Sequence, residues 1–237
     1  MTSKQDIQTT SGGKERIPQT VAILTAAFKD DPVYAYFLVD LPEEKRQPFL
    51  STLLTAFTKA GTLNGGLILE AGSWGSCAIL IPPGRTVDNP RTILRAGLLP
   101  ILKTLKISGC KRFLIEFPDG AKRAKEKGMT KRERAAFWYL FHIGTLPERQ
   151  GQGLAGALIE RMKDLARGDG RPIWLEASTP KSRGVYAKHG FRDVDEVVLG
   201  KGRVGPDGRA KDGGEGVTTY AMIWRPEENL EHEGTGA

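Results

Sequence analysis

The stretch Leu140-Phe141-His142-Ile143-Gly144-Thr145-Leu146-Pro147-Glu148-Arg149-Gln150-Gly151-Gln152-Gly153-Leu154-Ala155-Gly156-Ala157-Leu158 decides the fold. It closes a continuous apolar run, Ala135 to Leu146, of the kind expected of a strand buried on both faces. A short proline-led polar link follows, and then a glycine turn. After the turn, Leu154, Leu158, Met162 and Leu165 recur at helical spacing while Glu160, Arg161, Lys163 and Asp164 take the other side. Gly168 and Gly170 end that helix, and Ile173-Trp174-Leu175-Glu176-Ala177 reads as the next strand. The result is a βαβ unit with a right-handed crossover, built around a glycine turn at a helix N-terminus.

Such a turn offers unpaired backbone N–H groups and the positive end of the helix dipole to an anion, and glycine lets a phosphate approach the backbone closely. A turn that merely caps the helix is the plain structural alternative. Gly151-Gln152-Gly153-Leu154-Ala155-Gly156 also spells GxGxxG, with Glu176 twenty residues beyond it, as a nicotinamide-nucleotide fold requires. Context opposes that reading. The first glycine does not follow its strand directly, and too little chain remains after Glu176 for a second half of a doubly wound sheet. A P-loop is excluded because no Gly-Lys-Ser/Thr follows.

Outward from this unit, the segments Val21–Phe28 and Phe49–Phe57 predict two early helices, and Gly66–Glu70 with Trp74–Ile81 a hairpin ended by Pro82-Pro83. Leu94, Leu98, Leu99, Leu102 and Leu105 predict one apolar stripe in a helical insertion, about residues 90–134, ahead of the central strand. A short helix around Arg183–His189 and two last strands near Phe191–Leu199 and Val217–Trp224 complete the pattern. The glycine-rich segment 200–216 between those strands reads as a mobile hairpin loop. Residues 1–16 and 226–237 are polar and expected to be disordered, leaving a single domain over 17–225.

The chain has 237 residues, 27% charged and 39% hydrophobic, ordinary values for a globular protein able to bury one core. Cys77 and Cys110 lack metal-ligand spacing and cannot make a disulfide framework, so they read as free thiols in a reducing compartment and no metal is expected. No signal peptide or apolar run of spanning length is legible. The expectation is a cytoplasmic location, with the nucleus open to a chain this small, and no membrane partner. The formal charge of +7 would attract any polyanion. Its basic residues are scattered, however, and the densest run, Lys122 to Arg134, includes Glu126 and Glu133. A solvated helix face explains that run better than specific nucleic-acid binding.

Taken together, Leu146 to Ala155 resembles the acetyl-CoA-binding motif Q/R-x-x-G-x-G/A of the GNAT acyltransferase superfamily, with Gln150, Gly153 and Ala155 at its defined positions. Leu175-Glu176-Ala177-Ser178 and Tyr186-Ala187-Lys188-His189-Gly190-Phe191 resemble that superfamily's second strand and its Y-x-x-x-G-F segment. Within it, these motifs and the last strand, Tyr220-Ala221-Met222-Ile223-Trp224-Arg225, are most similar to puromycin N-acetyltransferase-like members. The likeness is specific over Trp138–Phe191 and looser over Val21–Arg225. Gln152 stands where those relatives have lysine, which implies one phosphate contact fewer, and Ser182 stands where they have asparagine.

The resemblance implies an α/β (α+β) GNAT fold, a central, mixed, mostly antiparallel twisted sheet flanked by helices. It also implies an N-acetyltransferase using acetyl-CoA as cosubstrate. Gln150, Gly151, Gln152, Gly153, Leu154, Ala155 and Gly156 would hold the pyrophosphate, and Ser182 would touch the pantetheine. Ile143, Gly144 and Thr145 would line that arm and face the thioester oxygen, which gains negative charge as the amine adds. A bulge at Gly144 would free these groups from the sheet ladder.

An amine with a pKa of about 10.4 must lose a proton before it attacks, and Glu176 is the first candidate for that base. Its alternative is an anchor paired to a basic side chain. His142, alone in an apolar strand, is a second candidate and reads more readily as structural. Tyr186 would protonate the departing sulfur. Three functions stay open: acetylation of a small primary amine, of a protein or peptide, or CoA binding without catalysis. The helical insertion favours the first, because added helices can wall off a pocket.

Overall fold

A computed structural model describes residues 7–87 and 89–226; the C-terminal tail expected from 226 lies almost wholly outside them. In chain order the elements are β1 (Thr9–Gly12), α1 (Ile17–Ala27), α2 (Pro32–Phe37), α3 (Glu43–Leu63), β2 (Leu67–Ala71), β3 (Ser76–Ile81), α4 (Pro90–Ala96), α5 (Leu98–Lys111), α6 (Phe117–Gly128), α7 (Lys131–Ala135), β4 (Trp138–Thr145), α8 (Leu154–Asp169), β5 (Ile173–Ala177), α9 (Pro180–Lys188), β6 (Arg192–Leu199) and β7 (Val217–Trp224). A π-helical turn, Arg112–Glu116, joins α5 to α6. The strands form one seven-stranded sheet in the order β1-β2-β3-β4-β5-β7-β6. Every neighbouring pair is antiparallel except β4 and β5, which run parallel.

The sheet is packed on both faces, and a smaller cluster joins Ala124 and Met129 to Trp174, Ala221 and Ile223. On one face α1, α2, α3 and the insertion bury Leu24, Tyr36, Leu53, Leu54, Ile79 and Ile81. On the other, α8 lays Leu158, Ile159, Met162 and Ala166 over Leu69, Leu80, Leu140 and Leu175. This is the amphipathic face that its periodicity predicts. Burying each such side chain contributes roughly 1.5–3 kcal/mol relative to exposure, so removal of either helix layer would leave the sheet uncovered on one side.

Several expectations change. The polar N-terminus is not all tail: β1 adds an edge strand to β2, with Thr10 donating to Glu70 at 2.7 Å. Backbone pairing carries that strand and needs no apolar pattern. In the insertion, Ile101, Leu98 and Leu105 are buried, but Leu94 and Leu99 are 59% and 55% exposed. The helix restarts at Gly97, which resets the phase of the stripe.

Strand β4 is not buried on both faces; buried and half-buried residues alternate along it. Segment 200–216 is held in place. Val204 is buried and bridges Ala210, Gly202 N–H donates to Gly214 O and Gly202 O accepts from Gly213 N–H, and Arg203 joins Tyr36 and Glu116.

Candidate active site

Strands β4 and β5 pair only at Trp138–Ile173 and Tyr139–Trp174. Beyond that point they part, leaving the rest of β4 without a strand partner on its β5 side. A cavity of about 1510 Å³ occupies the opening. A drug-sized ligand needs ~300–1,000 Å³, so two substrates fit end to end. The cavity runs from the glycine turn, past the tips of β4 and β5, to the aromatic residues at the end of α1 and on α2, α3 and the insertion.

At one end, Gly151 and Gly153 both adopt left-handed backbone, φ +78°, a region that costs other residues about 1–2 kcal/mol. A Cβ at Gly151 would meet nothing within 4 Å among the described residues. Gly153 caps α8 without a side-chain hydrogen bond, and the first bond into the helix is from Ala157 N–H to Gly153 O at 3.0 Å. The amides of Gly151 through Gly156 have no acceptor among the described residues. Open space above a glycine turn and a row of orphan donors at a helix N-terminus fit a diphosphate.

Gln150 accepts a hydrogen bond from Lys181 Nζ at 2.8 Å, and both line the cavity. Lys181 therefore brings a cation to the loop that carries Gln152 in place of lysine. Gln152 itself accepts from Arg149 Nε at 2.9 Å and, alone among the expected site residues, does not line the cavity. Ser182 lines it, but its hydroxyl donates to Thr179 O at 2.9 Å in the cap of α9.

Along the strand tips, Ile143, Gly144 and Thr145 line the cavity as expected. The bulge, however, lies at Phe141: His142 pairs with Ile79 and Leu140 with Leu80, so Phe141 is the extra residue. Gly144 stays in register opposite Cys77. Its lack of a side chain serves packing instead, since a Cβ there would stand 2.9 Å from both Ala27 Cβ and Leu24 Cδ2. The bulge turns Phe141 and His142 together toward the aromatic layer.

Glu176 faces the cavity from β5, held by Tyr139 Oη at 2.8 Å and Trp174 Nε1 at 2.6 Å, with Lys125 Nζ at 3.9 Å. Its side chain is 4% exposed. Lys125 was expected on a solvated face; it is turned inward, 4.9 Å over the Tyr139 ring. Tyr186 is buried against Phe191, centroids 5.7 Å apart, and lines the cavity. Its hydroxyl has no hydrogen-bond partner among the described residues. Burial first, and then the charge of Asp31, push the Tyr186 phenol up from its ordinary value.

Three cavity residues escaped the sequence reading. Asp31 caps α2, accepting from Val33 N and Tyr34 N at 2.9 and 3.2 Å, and accepts from Ser178 Oγ at 2.5 Å across the cleft. Its burial pushes the carboxyl up. The Asp-Pro pair signals a cap, but nothing local signals Ser178. Tyr34 Oη and His142 Nε2 share a hydrogen bond of 2.5 Å. Lys181 lies in Thr-Pro-Lys-Ser, readable as a helix start and no more.

Burial depresses His142 to a pKa of about 3, so it is neutral at physiological pH and a poor proton acceptor for an amine. A depressed folded pKa adds stability that is present above the ordinary value of 6.5 and lost as pH falls toward 3, by about 1.4 kcal/mol per pH unit for one group. Chemical denaturation from pH 7 to 4 should therefore show a shallower acid limb in His142→Gln than in the wild type. Parallel limbs would mean that His142 does not resist protonation.

The geometry can be set beside known proteins. The family model of the acetyltransferase (GNAT) domain matches residues 113–193, from the π-helical turn into β6. An uncharacterised N-acetyltransferase of Schizosaccharomyces pombe is 31% identical over 181 residues, 76% of this chain and 72% of the relative. The chain belongs to the GNAT N-acetyltransferase family.

Solved structures share the acetyltransferase's fold at low identity. The polyamine N-acetyltransferase of Drosophila melanogaster, which forms N-acetylagmatine, superposes with a TM-score of 0.59 at 13% identity, covering 93% of this chain and all of that one. A protein of Corynebacterium glutamicum described as histone acetyltransferase HPA2 and related acetyltransferase gives 0.56 at 18%, covering 94% and 97%. Among the acetyltransferase's described residues no group of His, Cys, Asp or Glu could hold a metal, and no helix is long and apolar enough to cross a membrane.

Proposed function

We propose that this acetyltransferase moves the acetyl group of acetyl-CoA to the primary amine of a small molecule, by direct attack of the amine on the thioester. The observation that carries this reading is the continuous cavity, whose acceptor end is walled by the insertion through Leu98, Phe113, Phe117, Ala121 and Lys125. A protein acceptor needs an open groove for a chain running through it. A walled pocket suits a small molecule.

Acetyl-CoA supplies the activated acyl group when bound. The amides of Gly151–Gly156, with Gln150 and Lys181, hold its diphosphate. The free edge of β4 at Ile143–Thr145 receives the pantetheine arm and offers backbone N–H groups to the thioester oxygen. Glu176 takes the proton of the incoming ammonium. An ionised carboxylate has about four acceptor sites, and the contacts with Tyr139, Trp174 and Lys125 leave room for one more donor. Tyr186 gives a proton to the departing sulfur.

Thiol release from acetyl-CoA in the presence of small amines, antibiotics and lysine peptides tests the function. Release should follow the small amines, and release with peptides alone would overturn the reading. Glu176→Gln tests the base. It keeps shape and the Trp174 contact, so the neutral-pH rate should fall several-fold. An unchanged rate would move the base elsewhere.

A further inference from the structure

The acceptor end of the cavity is ringed by Phe28, Tyr34, Phe57, Phe113, Phe117 and Phe141, contributed by the C-cap of α1, α2, α3, the π-helical turn, α6 and β4. The rings already pack on one another: Phe28 on Tyr34 at 5.2 Å, Phe57 on Phe113 at 5.0 Å and Phe57 on Phe141 at 5.7 Å between centroids. Phe28, Phe113, Phe117 and Phe141 are only partly buried. They present apolar surface that a ligand can cover.

Of the two buried carboxylates at this end, Glu176 has a cation beside it, Lys125, while Asp31 has only neutral donors. Asp31 is engaged by two backbone amides and Ser178, and Glu176 by Tyr139, Trp174 and Lys125. The place left on Glu176 is taken by the reacting amine, and three of the roughly four acceptor sites of Asp31 are filled. Lys125 also lies over the faces of Tyr139 and Phe137, at 4.9 and 5.4 Å. It holds the place a substrate cation would seek on those rings, and repels one that approaches. Asp30, Asp119, Glu126, Arg85 and Lys122 line the same cavity but are exposed and of both signs.

Resting on the acetyl transfer proposed above, we infer that the acceptor is a monoamine carried on an apolar, ring-bearing body, in the class of phenylalkylamines, and that a second cation on the substrate is selected against. The amino group points to the strand tips, where Glu176 and the thioester stand. The body lies among the rings, shielded from water. Each buried methylene then strengthens binding by about fourfold.

The test is steady-state kinetics at saturating acetyl-CoA with two series. One lengthens n-alkylamines from propyl to hexyl and adds benzylamine, phenethylamine and phenylbutylamine. The other comprises agmatine and spermidine. In the wild type, kcat/KM should climb by roughly two- to fourfold per methylene, and phenylbutylamine should exceed agmatine by at least 10-fold. Phe113→Ala should raise KM for phenylbutylamine about 10-fold, with acetyl-CoA affinity by calorimetry unchanged. A flat alkyl series, or agmatine or spermidine as the better substrate, overturns this inference while leaving small-amine acetylation standing. Acetyl-CoA binding without transfer to any amine overturns both.

Discussion

Replacing Tyr186 by phenylalanine is expected to lower turnover by about 10²-fold while leaving acetyl-CoA affinity nearly unchanged. The ring is a core residue, packed on Phe191 within the α8 layer, and phenylalanine preserves that packing. What is lost is the hydroxyl, which has no partner among the described residues and belongs to a residue lining the cavity. CoA leaves as a thiolate whose conjugate acid, if it resembles a cysteine thiol, has a pKa near 8.5. A phenol pushed above its ordinary 10 by burial and by Asp31 keeps its proton at neutral pH and hands it over only as negative charge builds on sulfur. Deletion should therefore act on kcat, with KM for acetyl-CoA and thermal stability close to wild type. Wild-type turnover in the variant would remove Tyr186 from the mechanism.

Gly153→Val should raise the acetyl-CoA dissociation constant by about 10²-fold or more, with the protein still folded. Two effects combine. Gly153 sits at φ +78°, a left-handed conformation that a β-branched residue resists, so the turn must shift and take the first amides of α8 out of line. The new side chain also stands where a diphosphate meets the backbone. Among the described residues a Cβ at this position meets only Ile7 Cδ1, at 3.5 Å, so the core is spared and the fold should survive. Gly153→Ala, with less bulk, should fall between. Calorimetric titration of both variants decides it. Unchanged affinity would remove the phosphate-loop assignment, and tighter binding of NAD than of CoA would restore the dinucleotide reading.

What the sequence by itself determined is the part written in near neighbours. The 3.6-residue spacing of Leu154, Leu158 and Met162 fixed α8 and its buried face, the glycines fixed the left-handed turn at its start, and the runs around Trp138–Thr145 and Ile173–Ala177 fixed the parallel pair on which the cleft opens. Each is a property of a window of about ten residues, where backbone geometry alone relates pattern to shape.

The tertiary structure decided what depends on distant partners. Thr9–Gly12 became a strand because β2 offered a backbone edge. The bulge fell at Phe141 rather than Gly144, because α1 needs Gly144 flat beneath Leu24. Lys125 left the solvent for Glu176 and two rings, and residues 200–216 lost their freedom to Tyr36 and Glu116. Tyr34 meets His142 across 108 residues, and Asp31 meets Ser178 across 147. Side chains so far apart in the chain share no local pattern. Their meeting follows from the packing of whole layers, which no window of sequence contains.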